Sequence, residues 1–408
     1  MIANVERLST GLKNKNFAAL WLGQSFSQLG DVFYKISLLW IVLRLSGSAT
    51  DVGMVLMIGA VPQIGFFLLG GALSDRLKSP KLLIVLADAF RGVLLLILYQ
   101  ALKIRAIGLN AIFITSFLLG IADGFFQPAL KTIIPLTVTN QELQSANALF
   151  NVTGQVFSLL APVLGGFIAA SKADIAVLLN AISFLVAAGM GAFVRVRREA
   201  ERLSFTTTYL GDLRQSFLHL IRNNKPIIVF VCMIMVINAG MVSRGVVLPV
   251  FLNQLDGSKV GADFYGSCIA AIAFGSLGVS LVLSRVQIKT RRGMIMLLSI
   301  LLLGISFMIL PFARSAEILT FLAINSAVAT VFSILHVTYV ETSVPTEHLG
   351  RVNGITMFGS RLLMPLSMLG SGIFAQKFGA RMVFISAGLL ISATSFVGFG
   401  LRSMRTLD

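Results

Sequence analysis

Residues 293–313 read GMIMLLSILLLGISFMILPFA, and no charge interrupts the run between Arg292 and Arg314. At about 1.5 Å per residue, a helix of this length crosses the roughly 30 Å of hydrocarbon in a bilayer. The stretch is apolar on every face, whereas a strand of a membrane barrel would alternate apolar and polar residues. We therefore predict a membrane-spanning helix here.

The composition of the whole chain agrees with many such helices. Of 408 residues, 56% are hydrophobic and only 12% are charged. A soluble domain carries roughly 25% charged residues, so this chain has too little polar surface to fold as a water-soluble body. The composition excludes a soluble enzyme and indicates a polytopic membrane protein.

Twelve stretches have the length and apolarity of a membrane span. They lie near residues 17–45, 50–73, 82–102, 107–127, 146–170, 174–194, 227–251, 263–284, 293–313, 316–340, 352–375 and 381–401. We expect an all-α membrane protein with two six-helix bundles. The N-terminal bundle takes residues 1–194 and the C-terminal bundle 227–408, and a cytoplasmic linker with an amphipathic helix joins them over 195–226.

The distribution of Lys and Arg predicts the orientation of the chain. The connections on the side of the two termini carry 21 of these residues, and the opposite connections carry eight. Cytoplasmic loops are enriched in positive charge, so we place both termini in the cytoplasm and the spans in the cell membrane. The net charge of +16 is then explained by the orientation of the loops and by their attraction to lipid headgroups. We therefore expect no nucleic-acid partner.

An internal similarity supports two equivalent halves. The stretches VTNQELQSANAL at 138–149 and VPTEHLGRVNGI at 344–355 align at an offset of 206 residues. Each follows the fourth predicted span of its half and enters the fifth. A repeat of six helices accounts for this position, and an even number of spans leaves the two halves in the same orientation.

The connection after the second span carries a recognisable motif. Residues 70–81 read GGALSDRLKSPK, which resembles the loop signature of the major facilitator superfamily at Gly71, Asp75, Arg76 and Lys81. The resemblance implies a cytoplasmic gate, in which Asp75 accepts hydrogen bonds and the glycine allows two helices to approach. A basic loop that only fixes topology is the alternative.

Further short motifs fall on the expected spans. GQ at 23–24, AD at 87–88, FQPA at 126–129 and ANA at 146–148 resemble the drug-exporting branch of that superfamily, which includes macrolide efflux proteins and the enterobactin exporter. The stretch APVLGG, at 161–166, is similar to the antiporter motif of the superfamily, with Pro162, Gly165 and Gly166 at matching places and Ala161 replacing its first glycine. The resemblance implies an exporter.

Charged residues inside the predicted spans give an independent argument for transport. Each costs roughly 2.5–3.5 kcal/mol near the centre of a helix and needs a partner or water. For proton coupling we predict the three aspartates Asp31, Asp88 and Asp123. For the substrate cavity we predict Gln24, Gln28, Lys35, Arg91, Asn238 and Arg361.

Structural roles are open for several of these residues. Asp31 and Lys35 are four apart and Asp88 and Arg91 are three apart, so each could form a local ion pair that only neutralises itself. Asp123 is equally suited to a gate, and amides such as those of Gln24 and Asn238 also join helices.

We expect a secondary active transporter that exports amphiphilic drugs or related small molecules by proton antiport and alternating access, acting as a monomer among membrane lipids. Export of a siderophore or other metabolite, or lipid transport, is the alternative on the same fold. The sequence GxxxxGK[ST] of ATP-driven pumps does not occur. We predict no enzyme activity, no metal and no cofactor, because three His and two separated Cys offer poor material for catalysis.

Overall fold

The computed structural model describes residues 14–76, 80–104, 108–196, 225–255, 261–286, 288, 290–344, 356, 359–405 and 407. Of residues 68–76, 140, 225–227 and 403 it describes the backbone alone. The predicted amphipathic helix of the linker lies outside the described residues.

The described chain is built from α-helices. In chain order, α1 to α12 run over Lys15–Ser46, Ala49–Arg76, Pro80–Lys103, Leu109–Thr137, Asn140–Phe193, Lys225–Leu255, Ala262–Leu283, Arg292–Ile309, Ser315–Ser343, Met364–Phe378, Ala380–Gly400 and Arg402–Arg405. A 3-10 turn at Leu310–Phe312 extends α8. Backbone groups must be satisfied within each segment inside a bilayer, which is why apolar runs of this length fold as helices.

The ends of α1 show how local sequence sets a helix boundary. The side chain of Asn14 accepts hydrogen bonds from the backbone N–H groups of Asn16 and Phe17 and caps the first turn. Gly47, at φ +64°, ends the helix in the left-handed region, and its N–H donates to the carbonyl of Leu43. Glycine adopts this conformation without a steric penalty.

The helix α5 contains two of the predicted spans. It runs over 54 residues and is interrupted at Lys172, whose backbone is non-helical at φ −148° and ψ 85°. This break falls between the spans predicted at 146–170 and 174–194. The hydropathy pattern predicts a loop there, and the structure has only a kink.

Ten helices of the described chain are long and apolar enough to cross a membrane. One of them is α5, which holds two spans, and α10 takes the place of the span predicted at 352–375. The described helices therefore accommodate twelve spans. α10 is short because a turn at residues 362–363 precedes it. Pro365, in its first turn, has no N–H to continue a helix from the preceding residues.

The chain divides into two compact units. The first comprises Met1–Leu203 and Leu252–Ala270, and the second comprises Ser204–Phe251 and Ala271–Asp408. The end of α6 and the first turns of α7 thus pack with the first unit. The bundle boundaries at 194 and 227 stay a prediction.

The same pairs of spans pack closely within each unit. In the first unit a Cβ on Gly120 of α4 would overlap the backbone of Gly59 of α2. In the second unit Gly275 of α7 lies equally close to the backbone of Ala323 of α9. These are spans two and four of each half, which agrees with the six-helix repeat indicated by the sequence.

Candidate functional site

Arg91 is the centre of a charged cluster inside the first unit. It lies on α3 and its side chain is only 2% exposed. The guanidinium carbon lies 4.0 Å from the ring centre of Phe126 and 4.2 Å from that of Phe184. Both rings present their π-electrons to the cation, which compensates part of its lost hydration.

Two carboxylates share this guanidinium. Nη1 of Arg91 donates to Oδ1 of Asp123 at 2.7 Å, and Nη2 donates to Oδ1 of Asp88. Asp88 lies three residues earlier on α3, while Asp123 comes from α4. The local pair proposed for Asp88 and Arg91 therefore forms, and a second carboxylate from another helix joins it.

Gln24 completes this arrangement from a third helix. Its Nε2 donates to Oδ2 of Asp88 at 3.0 Å, so both oxygens of that carboxylate accept a hydrogen bond. We call Gln24, Asp88, Arg91 and Asp123 the Arg91 cluster. The two carboxylates of the cluster differ in solvent exposure: the side chain of Asp88 is 0% exposed and that of Asp123 is 32% exposed.

Close helix packing places the cluster. A Cβ on Gly92, next to Arg91, would lie 3.1 Å from the carbonyl oxygen of Ala181 and less than this from the side chain of Leu185. The second segment of α5 can therefore approach α3 closely, and it brings Phe184 onto the guanidinium. The sequence shows the charges but not this aromatic sandwich.

Asp31 is held differently. It is partly buried on α1, and its Oδ1 accepts a hydrogen bond from Nδ2 of Asn180 at 3.3 Å. Oγ of Ser183 in turn donates to Oδ1 of Asn180 at 3.1 Å. Asp31 and Lys35, both described, form no ion pair with each other. The local pair considered for these two residues is therefore absent from this structure.

A cavity of about 530 Å³ opens between α1, α4 and α5, all in the first unit. Five amide side chains line it, with one lysine, one serine, one glycine and three apolar residues. The lining residues are Gln28, Gln127, Leu130, Lys131, Ile134, Asn147, Phe150, Asn151, Gly154, Gln155 and Ser158. We call it the amide cavity.

The amide cavity adjoins the cluster along two helices. Gln28 lies four residues after Gln24 on α1, and Gln127 lies four residues after Asp123 on α4, so each pair shares a helix face. Of the residues that line it, only Gln28 is among the cavity residues predicted from the sequence. The spacing of Asn147, Asn151 and Gln155, four residues apart on one face of α5, is the signal that would have found the rest.

A second cavity of about 260 Å³ lies further along α1 and α5. It is mainly apolar and contains Lys35, together with Pro162 of α5 and Tyr265 of α7. Ser158 lines both cavities. The exposed side chain of Lys35 therefore lies in the wall of a cavity, and its role in substrate binding stays a prediction.

The antiporter-like motif forms a contact of three helices within the first unit. A Cβ on Gly165 would lie 3.0 Å from Cδ1 of Phe33 on α1. A Cβ on Gly166 would lie 2.5 Å from the carbonyl oxygen of Ala262 and 3.0 Å from Cα of Gly266, both on α7. Pro162 lies inside the same stretch of α5. A side chain at Gly166 would overlap the backbone of α7, whereas at Gly165 it would crowd the side chain of Phe33.

The predicted gate motif is described in part. The backbone of α2 continues as a helix through Gly71, Asp75 and Arg76, but their side chains lie outside the described residues. Lys81 lies in the first turn of α3 and is partly buried. The gate assignment stays a prediction.

The second unit contains a separate polar network. Nη1 of Arg244 donates to Oδ1 of Asn325 at 2.5 Å, and Nδ2 of Asn325 donates to Oγ of Ser306 at 2.8 Å. Both Arg244 and Asn325 are buried. The network joins α6, α8 and α9, so this intramembrane arginine has a role in helix packing.

The two remaining cavity candidates lie beside a helix contact. Nδ2 of Asn238 on α6 donates to the backbone carbonyl of Ser360 at 3.0 Å. This bond supports the carbonyl just before the break that precedes α10. Arg361, the next residue, is exposed. Neither residue lines either of the two cavities described above.

Comparison with known proteins gives a consistent family and fold. The sequence profile of the Major Facilitator Superfamily matches residues 20–368. Macrolide efflux protein A of Streptococcus pyogenes is 22% identical over 408 residues, which cover 96% of this chain and 97% of that protein. Enterobactin exporter EntS of Salmonella typhi is 26% identical over 377 residues, covering 88% of this chain and 83% of that protein.

Solved structures show the same fold at lower identity. The nucleoside transporter NupG superposes with a TM-score of 0.72 at 13% identity, over 96% of this chain and 100% of that one. A bacterial homologue of the iron transporter ferroportin superposes with a TM-score of 0.69 at 15% identity, over 94% and 98% of the two chains.

Proposed function

Because the chain belongs to the Major Facilitator Superfamily, we propose that it exports an amphiphilic small molecule across the cell membrane in exchange for protons. Membership confirms the predicted twelve-helix major facilitator fold and the prediction that the protein is a transporter and no enzyme. The chain is a multi-pass membrane protein. The coupling to protons, the class of substrate and the orientation in the membrane are the parts that we propose.

The observation that supports proton coupling most directly is the charge balance of the Arg91 cluster. Two carboxylates contact one guanidinium, so the contact group carries a net negative charge when both acids are ionised. Net charge inside a membrane is costly, and one bound proton removes it. The cluster therefore has the composition of a site that takes up a single proton.

Differences in access suggest how the proton enters. Asp88 is fully buried, and both of its oxygens are engaged by Arg91 and Gln24. Asp123 has one described hydrogen bond and a partly exposed side chain. We assign proton entry to Asp123 and an anchoring role to Asp88. Asp31, held by a single long hydrogen bond from Asn180, is the second proton-accepting carboxylate of this proposal.

The proposed direction of transport comes from the relatives. Macrolide efflux protein A and the enterobactin exporter are both named as exporters. In our proposal protons flow into the cytoplasm while the substrate leaves, and two alternating states face the two sides of the membrane. Both termini are cytoplasmic, Asp75 belongs to the cytoplasmic gate, and the protein acts as a monomer.

The test is uptake into proteoliposomes with an imposed pH gradient. An acidic lumen drives protons out through an antiporter, so the native protein should accumulate a fluorescent amphiphile against its concentration gradient. The probes are fluorescein methyl ester and rhodamine 123, with the membrane potential clamped by potassium and valinomycin. Liposomes without protein give the passive distribution of each dye.

Variants separate coupling from binding. Asp123→Asn keeps an oxygen for Arg91 but removes the charge, so we expect loss of accumulation while dye exchange without a gradient continues. Asp51→Asn, in the first turn of α2, is the matched control and should accumulate dye normally. Equal accumulation by the Asp123→Asn variant, or a native protein that ignores the gradient for both dyes, would refute proton coupling at this cluster.

A further inference from the structure

From the lining of the amide cavity we infer the class of substrate, an inference that rests on the proposed export function. We propose that the cavity binds an oxygen-rich amphiphile that carries no positive charge. Neutral and anionic molecules with several carbonyl, hydroxyl or acidic oxygens belong to this class. The proposal follows from which polar groups line the cavity and from how they are distributed.

The amides favour oxygen. Each amide of Gln28, Gln127, Asn147, Asn151 and Gln155 offers two donors and one acceptor oxygen. A molecule rich in carbonyl and hydroxyl oxygens can satisfy these donors, whereas a hydrocarbon would leave them without partners. Leaving a buried donor unsatisfied costs about 1–3 kcal/mol, so this lining selects against a purely apolar cargo.

The charge of the wall favours an anion over a cation. Lys131 is exposed and lines the amide cavity, and Lys35 lines the adjoining second cavity. No aspartate or glutamate is among the described lining residues of either cavity. The nearest carboxylates along the lining helices are that of Asp123 on α4, whose Oδ1 already accepts from Arg91, and that of Asp31 on α1, whose Oδ1 accepts from Asn180. A cationic group would meet like charge at both ends of this surface.

The apolar part of the lining accounts for the amphiphilic character. Leu130, Ile134 and Phe150 line the amide cavity beside the amides. The second cavity continues this surface through Val32, Ile36 and Leu39. An elongated molecule with an oxygen-rich part at Lys131 and an apolar part toward Lys35 would match both regions.

Two dyes of one skeleton provide the test. Fluorescein methyl ester is an anion and rhodamine 123 a cation, and they differ only in the oxygen or nitrogen groups on the xanthene rings. Binding is measured by fluorescence anisotropy on the full chain in nanodiscs of zwitterionic lipid, without any gradient. We expect the anion to bind more tightly by about fivefold or more, the size of one screened ion pair.

Single substitutions assign the preference to the cavity. Lys131→Gln should weaken binding of the anionic dye by about fivefold. Binding of the cationic dye should be unchanged or tighter. Lys103 is an exposed lysine at the opposite end of the first unit. The Lys103→Gln variant is the control and should keep the preference for the anionic dye. Asn151→Asp adds a carboxylate with little change in the shape of the side chain. It should weaken binding of the anionic dye and strengthen binding of the cationic dye.

The outcomes separate this inference from the proposed function. Tighter binding of rhodamine 123 to the native protein, or an unchanged preference in both Lys131→Gln and Asn151→Asp, would overturn the substrate class. Neither result bears on proton coupling, because no gradient is present. Failure of both dyes to respond to a pH gradient would refute coupling and leave the binding preference standing.

Discussion

The guanidinium of Arg91 and the carboxylate of Asp123 are joined at 2.7 Å, although they come from different helices. This contact ties α3 to α4 at a position where Arg91 is shielded from water and Asp123 is only partly exposed. Because Arg91 also contacts Asp88, the loss of one side chain leaves two acids behind.

Replacement of Arg91 by methionine should destabilise the protein strongly. The variant keeps a long apolar side chain between Phe126 and Phe184 but leaves two carboxylates without their cation. Removing one partner of a buried ion pair costs about 3–5 kcal/mol. Thermal unfolding of the purified full chain in detergent measures the effect as a lower midpoint.

The double variant Arg91→Met with Asp88→Asn provides the control. Since it removes one uncompensated acid, it should recover part of the lost stability. An unchanged midpoint in the single variant would contradict the cluster as described, and so would an absence of recovery in the double variant.

Gln24 and Gln28 offer a matched pair on one helix face. Gln24→Leu removes the donor to Asp88 Oδ2 and should lower stability by about 1–3 kcal/mol, together with the rate of proton-driven dye uptake. Gln28→Leu alters only the amide cavity. It should weaken dye binding without changing the unfolding midpoint. The reverse pattern would show that the roles of the two glutamines have been exchanged.

Much of this architecture could be predicted from sequence because hydrophobicity is local. The run between Arg292 and Arg314 became α8 and its 3-10 turn within a few residues of the expected limits. The break in α5 was placed correctly, but its form was not. A single residue, Lys172, turns the chain there, and hydropathy cannot distinguish one kinked residue from a short loop.

The site was harder to predict because it depends on contacts between distant segments. The sequence indicated Asp88 and Arg91 as a pair, since their spacing is local. It did not predict the hydrogen bond from Asn180 to Asp31, two residues that are 149 positions apart. Arg361 was predicted among the cavity residues, but the structure shows only that its side chain is exposed, so that role is still a prediction.

Gly166 gives a prediction about the antiporter-like motif. Gly166→Ala would place a methyl group 2.5 Å from the carbonyl oxygen of Ala262 and 3.0 Å from Cα of Gly266. We expect α5 and α7 to separate, with a loss of about 1–3 kcal/mol and slower transport. Gly189→Ala is the control on the same helix, because no atom lies within 4 Å of its added Cβ. Equal unfolding midpoints for the two variants would refute the proposed packing constraint.

Asp75 tests the gate suggested by the sequence motif. Asp75→Asn removes the charge that would hold the cytoplasmic gate closed. We expect slower dye uptake with unchanged dye affinity in nanodiscs, because the motif lies on α2 and the amide cavity is lined by α1, α4 and α5. Loss of affinity in this variant would argue for a role in binding instead of gating.

Asp31 is the carboxylate best suited to a direct test of proton coupling. It has no ion pair with Lys35, and a single long hydrogen bond from Asn180 holds it. If it carries a proton during the cycle, Asp31→Asn should abolish accumulation against a gradient while dye exchange persists. Asn180→Ala keeps the carboxylate and removes its donor, so accumulation should continue, at a reduced rate. Normal accumulation by the Asp31→Asn variant would assign coupling to the Arg91 cluster alone. Loss of exchange as well as accumulation would instead give Asp31 a structural role, since a proton carrier is dispensable when no gradient has to be used.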